Sequence, residues 1–141
     1  MGQAALFTPP AVHKSNVVLF PNYLTRSRLK GFTKTLKGSY TSNSEGLVTI
    51  VNDLIEFHYK SYNKHIELVD LTATPAAIPD AVRCLEFLRY ESYLLQKPIF
   101  CHLQDPSLLP LLREQGFRII DDEEEQSEVY SSFWDYELQK V

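Results

Sequence analysis

Apolar and polar positions change period several times along this chain, and each change marks an element. Ile66 to Leu71 is short, β-branched and bounded downstream by prolines, so it predicts a strand. From Ala81 to Gln96 the apolar positions Ala81, Leu85, Leu88 and Leu95 recur near the helical period, which predicts a crossover helix stopped before Pro98. Ile99 to Leu103 reads as a second short strand. Ser107 to Gln115 is Leu-rich, and Gly116 stands where a left-handed helix cap belongs.

Upstream, Leu47 to Val51 is β-branched, and Ile55, Phe57 and Tyr59 alternate with Glu56, His58 and Lys60. This predicts two strands joined near Asn52-Asp53. The same stretch supports a second reading, a helix over 44–62 carrying Leu47, Ile50, Val51, Leu54, Ile55 and Tyr62 on one face, opened by a Ser42/Glu45 capping box. The strict alternation from Leu54 to Lys60 favours strands. Downstream, Phe117 to Ile120 and Val129 to Leu138 read as a hairpin whose loop carries the acidic run Asp121 to Glu125. Near the N-terminus, Arg26, Arg28, Lys30, Lys34 and Lys37 line one side of a helix with Leu29, Phe32 and Leu36 on the other. Residues 1–16 contain Pro9-Pro10 and no periodicity, and predict an extended arm ahead of a single domain over 17–141.

The phrase Gln115-Gly116-Phe117-Arg118 resembles the end of the last helix in the GNAT N-acetyltransferase superfamily. In that fold a β-meander precedes the crossover and a hairpin follows it, the layout read above for residues 46–138. The resemblance implies an α+β class, an α/β sandwich with a GNAT-like central mixed sheet, here with an N-terminal extended arm. It also implies acetyl-CoA, held by backbone N–H groups of a Gln/Arg-x-x-Gly-x-Gly/Ala loop at the start of the crossover helix, where the helix dipole favours anions. The corresponding stretch here, Thr72 to Val82, has no glycine, Arg or Gln; Pro79 removes a donor, and Asp80 puts a negative charge where a diphosphate would sit. The family's Asn-x-x-Ala-x-x-x-Tyr pattern, whose Tyr acts as general acid, falls on Asp105, Leu108 and Leu112, and all three differ. As general bases, Glu67 and Asp70 are the weak candidates, since they lie on the strand that supplies the base in some GNAT enzymes. His65 and His102 could titrate near neutrality. Small degenerate GNAT-like proteins occur among virion and assembly proteins of tailed bacteriophages, and this chain is similar to them in length and layout.

Composition narrows the partners. With 141 residues, of which 44% are hydrophobic, the chain supports one globular core. There is no apolar run near eighteen residues, no signal-peptide pattern, and Leu6 stands where myristoylation wants Ser or Thr. The expectation is therefore an intracellular, cytoplasmic protein, or a virion protein if phage-derived, with no membrane partner. Cys84 and Cys101 read as buried thiols, and the four histidines lack metal-ligand spacing. The net charge of −4 conceals a division: residues 1–44 hold six basic side chains and no acid, whereas the remainder holds eight basic and eighteen acidic ones. The basic helix either packs against acidic surface of its own chain or faces a partner.

Three functional expectations follow. The first is a non-catalytic binding or structural protein with no cofactor, contacting another protein chain or a second copy through Leu6, Phe7 and Val12 of the arm and through Arg26, Arg28, Lys30, Lys34 and Lys37. The second is an active N-acetyltransferase using acetyl-CoA through an atypical loop. The third is a nucleic-acid-associated module using the basic segment 26–37.

Overall fold

Asn43 and Asn52 decide between hairpin and helix upstream. The Asn43 side-chain oxygen accepts from the N–H groups of Glu45 (2.9 Å) and Leu47 (3.0 Å), and the Asn52 oxygen accepts from those of Leu54 (2.8 Å) and Ile55 (2.9 Å). Such side-chain bonds to nearby N–H groups form turns at the expense of a helix. The residues read alternatively as a helix over 44–62 are therefore two turns and two strands, and Ser42 with Glu45 is not a helix start.

A computed structural model describes residues 17–103, 106–120 and 130–134. In chain order the elements are β1 (Val18–Leu19), α1 (Tyr23–Leu36), β2 (Ser39–Ser42), β3 (Val48–Val51), β4 (Ile55–Tyr62), β5 (Ile66–Ala73), α2 (Ile78–Leu95), β6 (Ile99–Leu103), α3 (Leu109–Glu114), β7 (Arg118–Ile120) and β8 (Tyr130–Trp134). Short 3-10 turns at Pro75–Ala77 and Pro106–Leu108 lead into α2 and α3. The sheet order is β2-β3-β4-β5-β6-β8-β7, with β1 paired to the end of β4. Only β5 and β6 run parallel among these pairs, which is the pairing a crossover helix permits. The proposed arm, residues 1–16, and the acidic run 121–125 lie outside the described residues.

Two differences from the sequence reading have local causes. The last helix is shorter than 107–115, because Pro106 and Pro110 confine regular helix to α3. Strand β2 was not expected, since of Ser39, Tyr40, Thr41 and Ser42 only Tyr40 packs on the core. Gly38, just before it, approaches the Val51 carbonyl so closely that a Cβ would overlap it. Helices α1, α2 and α3 end the same way: the N–H groups of Gly38, Lys97 and Phe117 reach back five residues to the carbonyls of Thr33, Ser92 and Leu112. Lys37, Gln96 and Gly116 take the left-handed conformation these caps require.

The helices and one face of the sheet share a single core. Leu29 and Leu36 of α1, Ile50 and Phe57 of the sheet, and Leu85 and Leu88 of α2 all belong to it. The rings of Phe32 and Phe87 stack between α1 and α2, with centroids 4.5 Å apart. On β5 the inward residues change parity: Ile66 and Leu68 face the core, and so does Leu71. A β-bulge makes this happen. Tyr59 pairs with Leu68 and His58 with Asp70, so Val69 is the extra residue. The opposite sheet face is polar, carrying Thr49, Glu56, His58, Lys60, Asp70 and Thr72.

Candidate functional site

Three positions test the chemistry that the sequence resemblance implies. At the start of α2, donors are few. Pro75 and Pro79 have no N–H, and those of Ala77 and Ile78 are spent on the Thr74 and Pro75 carbonyls inside the turn. Asp80 stands in the first helical turn, where its Oδ2 accepts from Asn52 Nδ2 at 3.1 Å and its Oδ1 lies 3.6 Å from Arg83. Asn52 Nδ2 also donates to the Leu36 carbonyl at 3.1 Å, so one side chain ties the end of α1 and the β3–β4 turn to the start of α2.

The second position is the opening between the parallel strands. Their ladder pairs Ile66 with Ile99, Glu67 with Phe100 and Leu68 with Cys101; β5 then continues to Ala73 and β6 to Leu103 without further pairing among the described residues. The bulge at Val69 falls where this pairing stops. Of the two weak base candidates, Asp70 lies at the bulge, exposed, its Oδ1 accepting from the Leu71 N–H at 2.9 Å. Glu67 lies back within the paired ladder, and its charge, after burial, helps push the Tyr62 phenol up. The bulge leaves both on the polar face of the sheet, Glu67 opposite Lys60 and Asp70 opposite His58. His65 is buried, stacked on Tyr62 with ring centroids 4.5 Å apart and edge-on to Phe100. His13 and the His102 side chain lie outside the described residues.

The third is Leu112, where the family pattern has its Tyr. It is 1% exposed and belongs to the hydrophobic core. Cys84 and Cys101 are buried and not disulfide-bonded. Burial pushes the Cys84 thiol up to about 12, with Asp80 adding to the effect, so it stays protonated and a poor nucleophile. Among the described residues no cluster of His, Cys, Asp and Glu could hold a metal ion.

On α1 the basic residues separate. Arg26, Lys30, Lys34 and Lys37 are exposed, whereas Arg28 turns inward to Glu91 of α2. Its Nε donates to Glu91 Oε2 and its Nη2 to Oε1 at 3.1 Å. That hydrogen-bonded carboxylate raises the Arg28 pKa against the opposing effect of burial. The acidic counterpart expected for a basic helix packed on its own chain is thus a single buried glutamate. Glu91 went unnoticed in the sequence, yet a signal was there: it continues the stripe Cys84, Leu88, Leu95 at helical spacing, a charge among apolar positions.

Glu91 also lines a cavity of about 280 Å³, together with the segment Leu19 to Asn22, Thr25, Val48, Tyr59, Ser61, Ile66, Leu95 and Lys97. The Tyr59 hydroxyl is buried and has no hydrogen-bond partner among the described residues. Lys97 Nζ donates to the Tyr62 carbonyl at 2.7 Å and to Ser61 Oγ at 3.3 Å. Sequence reasoning singled out neither residue.

Meander, crossover helix, parallel strand and closing hairpin define an α+β chain with a GNAT-like central mixed sheet. No protein-family model matches the chain, nor does any curated protein. Among solved structures it is similar to an acetyltransferase from Bacillus subtilis in complex with CoA, at 13% identity and a TM-score of 0.44 over 84% of this chain and 88% of that one. It is also similar to an acetyltransferase from Bacillus cereus, at 12% identity and a TM-score of 0.38 over 89% of this chain and 96% of that one. No helix among the described residues is long and apolar enough to cross a membrane.

Proposed function

We propose that this chain is a GNAT-like binding or structural protein that does not carry out acetyl transfer. The start of α2 is the observation that carries this reading. A diphosphate needs several converging N–H donors and positive potential, whereas the turn into this helix and its first turn hold two prolines, the N–H groups of Ala77 and Ile78 spent on nearby carbonyls, and the Asp80 carboxylate held by Asn52. The donor set does not suit CoA. The buried Leu112 supports the same reading, because an aliphatic side chain cannot supply the proton a departing thiolate would take. The expected result in a thermal-shift titration is therefore no stabilisation by acetyl-CoA or CoA at millimolar concentration. A ligand at a hundred times its Kd stabilises by about 2.7 kcal/mol, so a clear rise in Tm would overturn the proposal.

One observation favours a second reading, an active N-acetyltransferase with an atypical loop. The opening of β5 from β6 at the Val69 bulge leaves strand edges of the kind that pair with an extended, amide-bearing chain such as the pantetheine arm of CoA. The same titration separates the two readings.

The partner in this proposal is another protein chain or a second copy, set in an assembly of the kind phage virion proteins form. Arg26, Lys30, Lys34 and Lys37 are the exposed charges that support it, and Leu6, Phe7 and Val12 of the arm supply its apolar contacts. Deleting residues 2–15 is expected to leave the denaturant midpoint little changed and to abolish the assembly, as read by size-exclusion chromatography with light scattering. Unfolding of the shortened chain, with the intact chain a lone monomer, would sink the partner reading.

A further inference from the structure

We propose that the cavity between the start of α1 and the end of α2 binds a small amphipathic monocarboxylate, its carboxylate received by Lys97 and Tyr59 and its hydrocarbon body lying on Leu19, Phe20 and Leu95. The site is independent of the α2 start and of the strand opening, which lie at the opposite ends of the same elements. Thr25 belongs to the first turn of α1, Glu91 and Leu95 to the last turns of α2, and Ile66 begins β5.

Charge selects the ligand. Arg28 and Glu91 neutralise each other, with both carboxylate oxygens engaged. Among the described lining residues this leaves Lys97 as the uncompensated charge, although it is only 8% exposed. An ammonium has three N–H donors, and Lys97 spends two, on Tyr62 and Ser61. Tyr59 is 2% exposed, and its hydroxyl is a second unspent donor. Buried polar groups in folded proteins are ordinarily satisfied, so the complement of this cavity is one acceptor group carrying one negative charge. Leu19, Phe20, Pro21, Val48, Ile66 and Leu95 set the rest of the ligand as apolar.

Other occupants fit less well. A dianion would leave a charge uncompensated beside Glu91, and an amine would oppose Lys97. A neutral alkane meets neither donor. Water satisfies the hydroxyl but gains little against apolar walls. Burial lowers the Lys97 pKa, with Glu91 opposing, and a bound carboxylate reverses part of that penalty. The volume of about 280 Å³ is near the small end of ligand pockets and suits a medium-chain acid better than a long-chain lipid.

The test uses the full chain, titrated by calorimetry and by ¹H–¹⁵N NMR with octanoate, octanol and octylamine below micelle-forming concentrations. Octanoate is expected to bind, shifting the amides of Leu19, Ser61, Leu95 and Lys97, with octanol weaker and octylamine weakest. Tyr59→Phe and Lys97→Met are each expected to raise the Kd for octanoate about tenfold or more. The Tm of unliganded Tyr59→Phe should be unchanged or higher, because the hydroxyl it removes has no partner. Absence of octanoate binding overturns the proposal. Equal binding of octanoate and octanol overturns it too, and so does a Tyr59→Phe variant that loses stability without losing affinity.

Discussion

Replacing Arg28 with Ala is expected to lower stability by about 3–5 kcal/mol, the range seen when one partner of a buried ion pair is removed. The reason is the glutamate left behind. The Glu91 side chain is 1% exposed, and Arg28 supplies both of its hydrogen bonds, so the truncation strands a carboxylate with neither its counter-charge nor its donors. Urea denaturation should show the loss as a shift of midpoint with the slope unchanged. The double variant Arg28→Met with Glu91→Leu should recover most of it, because apolar replacement of a buried pair removes the stranded charge along with its partner. Lys34→Ala, on the exposed side of the same helix, serves as control and should cost under about 0.5 kcal/mol. If Arg28→Ala proves as mild as that control, the pair does not anchor α1 to α2.

Leu112 gives the second large effect. Leu112→Ala should cost about 2–5 kcal/mol, through lost burial and the cavity left in the core. Leu112→Tyr introduces the residue that the GNAT pattern has at the corresponding place, and it should cost about 1–3 kcal/mol by overpacking. The two variants discriminate between readings as well as measuring stability. An emptied catalytic position facing a cleft would tolerate the phenol, and a Tyr variant as stable as the parent would show that such a cleft exists. Circular dichroism melts of both variants decide it.

Much of the architecture was legible because its causes are local. The hairpin of β3 and β4 could be read from alternation and from Asn52, which makes its turn with bonds spanning two and three residues. Gly116 marked the end of α3 because a left-handed cap favours glycine whatever surrounds it. The absence of glycine from Thr72 to Val82 was equally plain, and the structure shows a proline-bounded turn there and an aspartate held by Asn52.

Strand β2 escaped because an edge strand with a single core-facing residue shows no period. The parity change on β5 escaped because alternation continued from Ile66 would turn Leu71 to the polar face. It is the pairing with β4 that returns it to the core, by leaving Val69 over. Arg28 read as one more charge on a basic face, and its inward turn depends on Glu91, sixty-three residues later. Lys97 and Tyr59 come from different elements, and only folding puts them around one cavity. The sequence by itself determined the order and kind of most elements, since period, turn residues and caps act within a few positions. Tertiary structure alone decided which charges are buried, where the parallel strands part and where the cavity lies. Those features depend on contacts between distant residues, whose free energy no local pattern along the chain encodes.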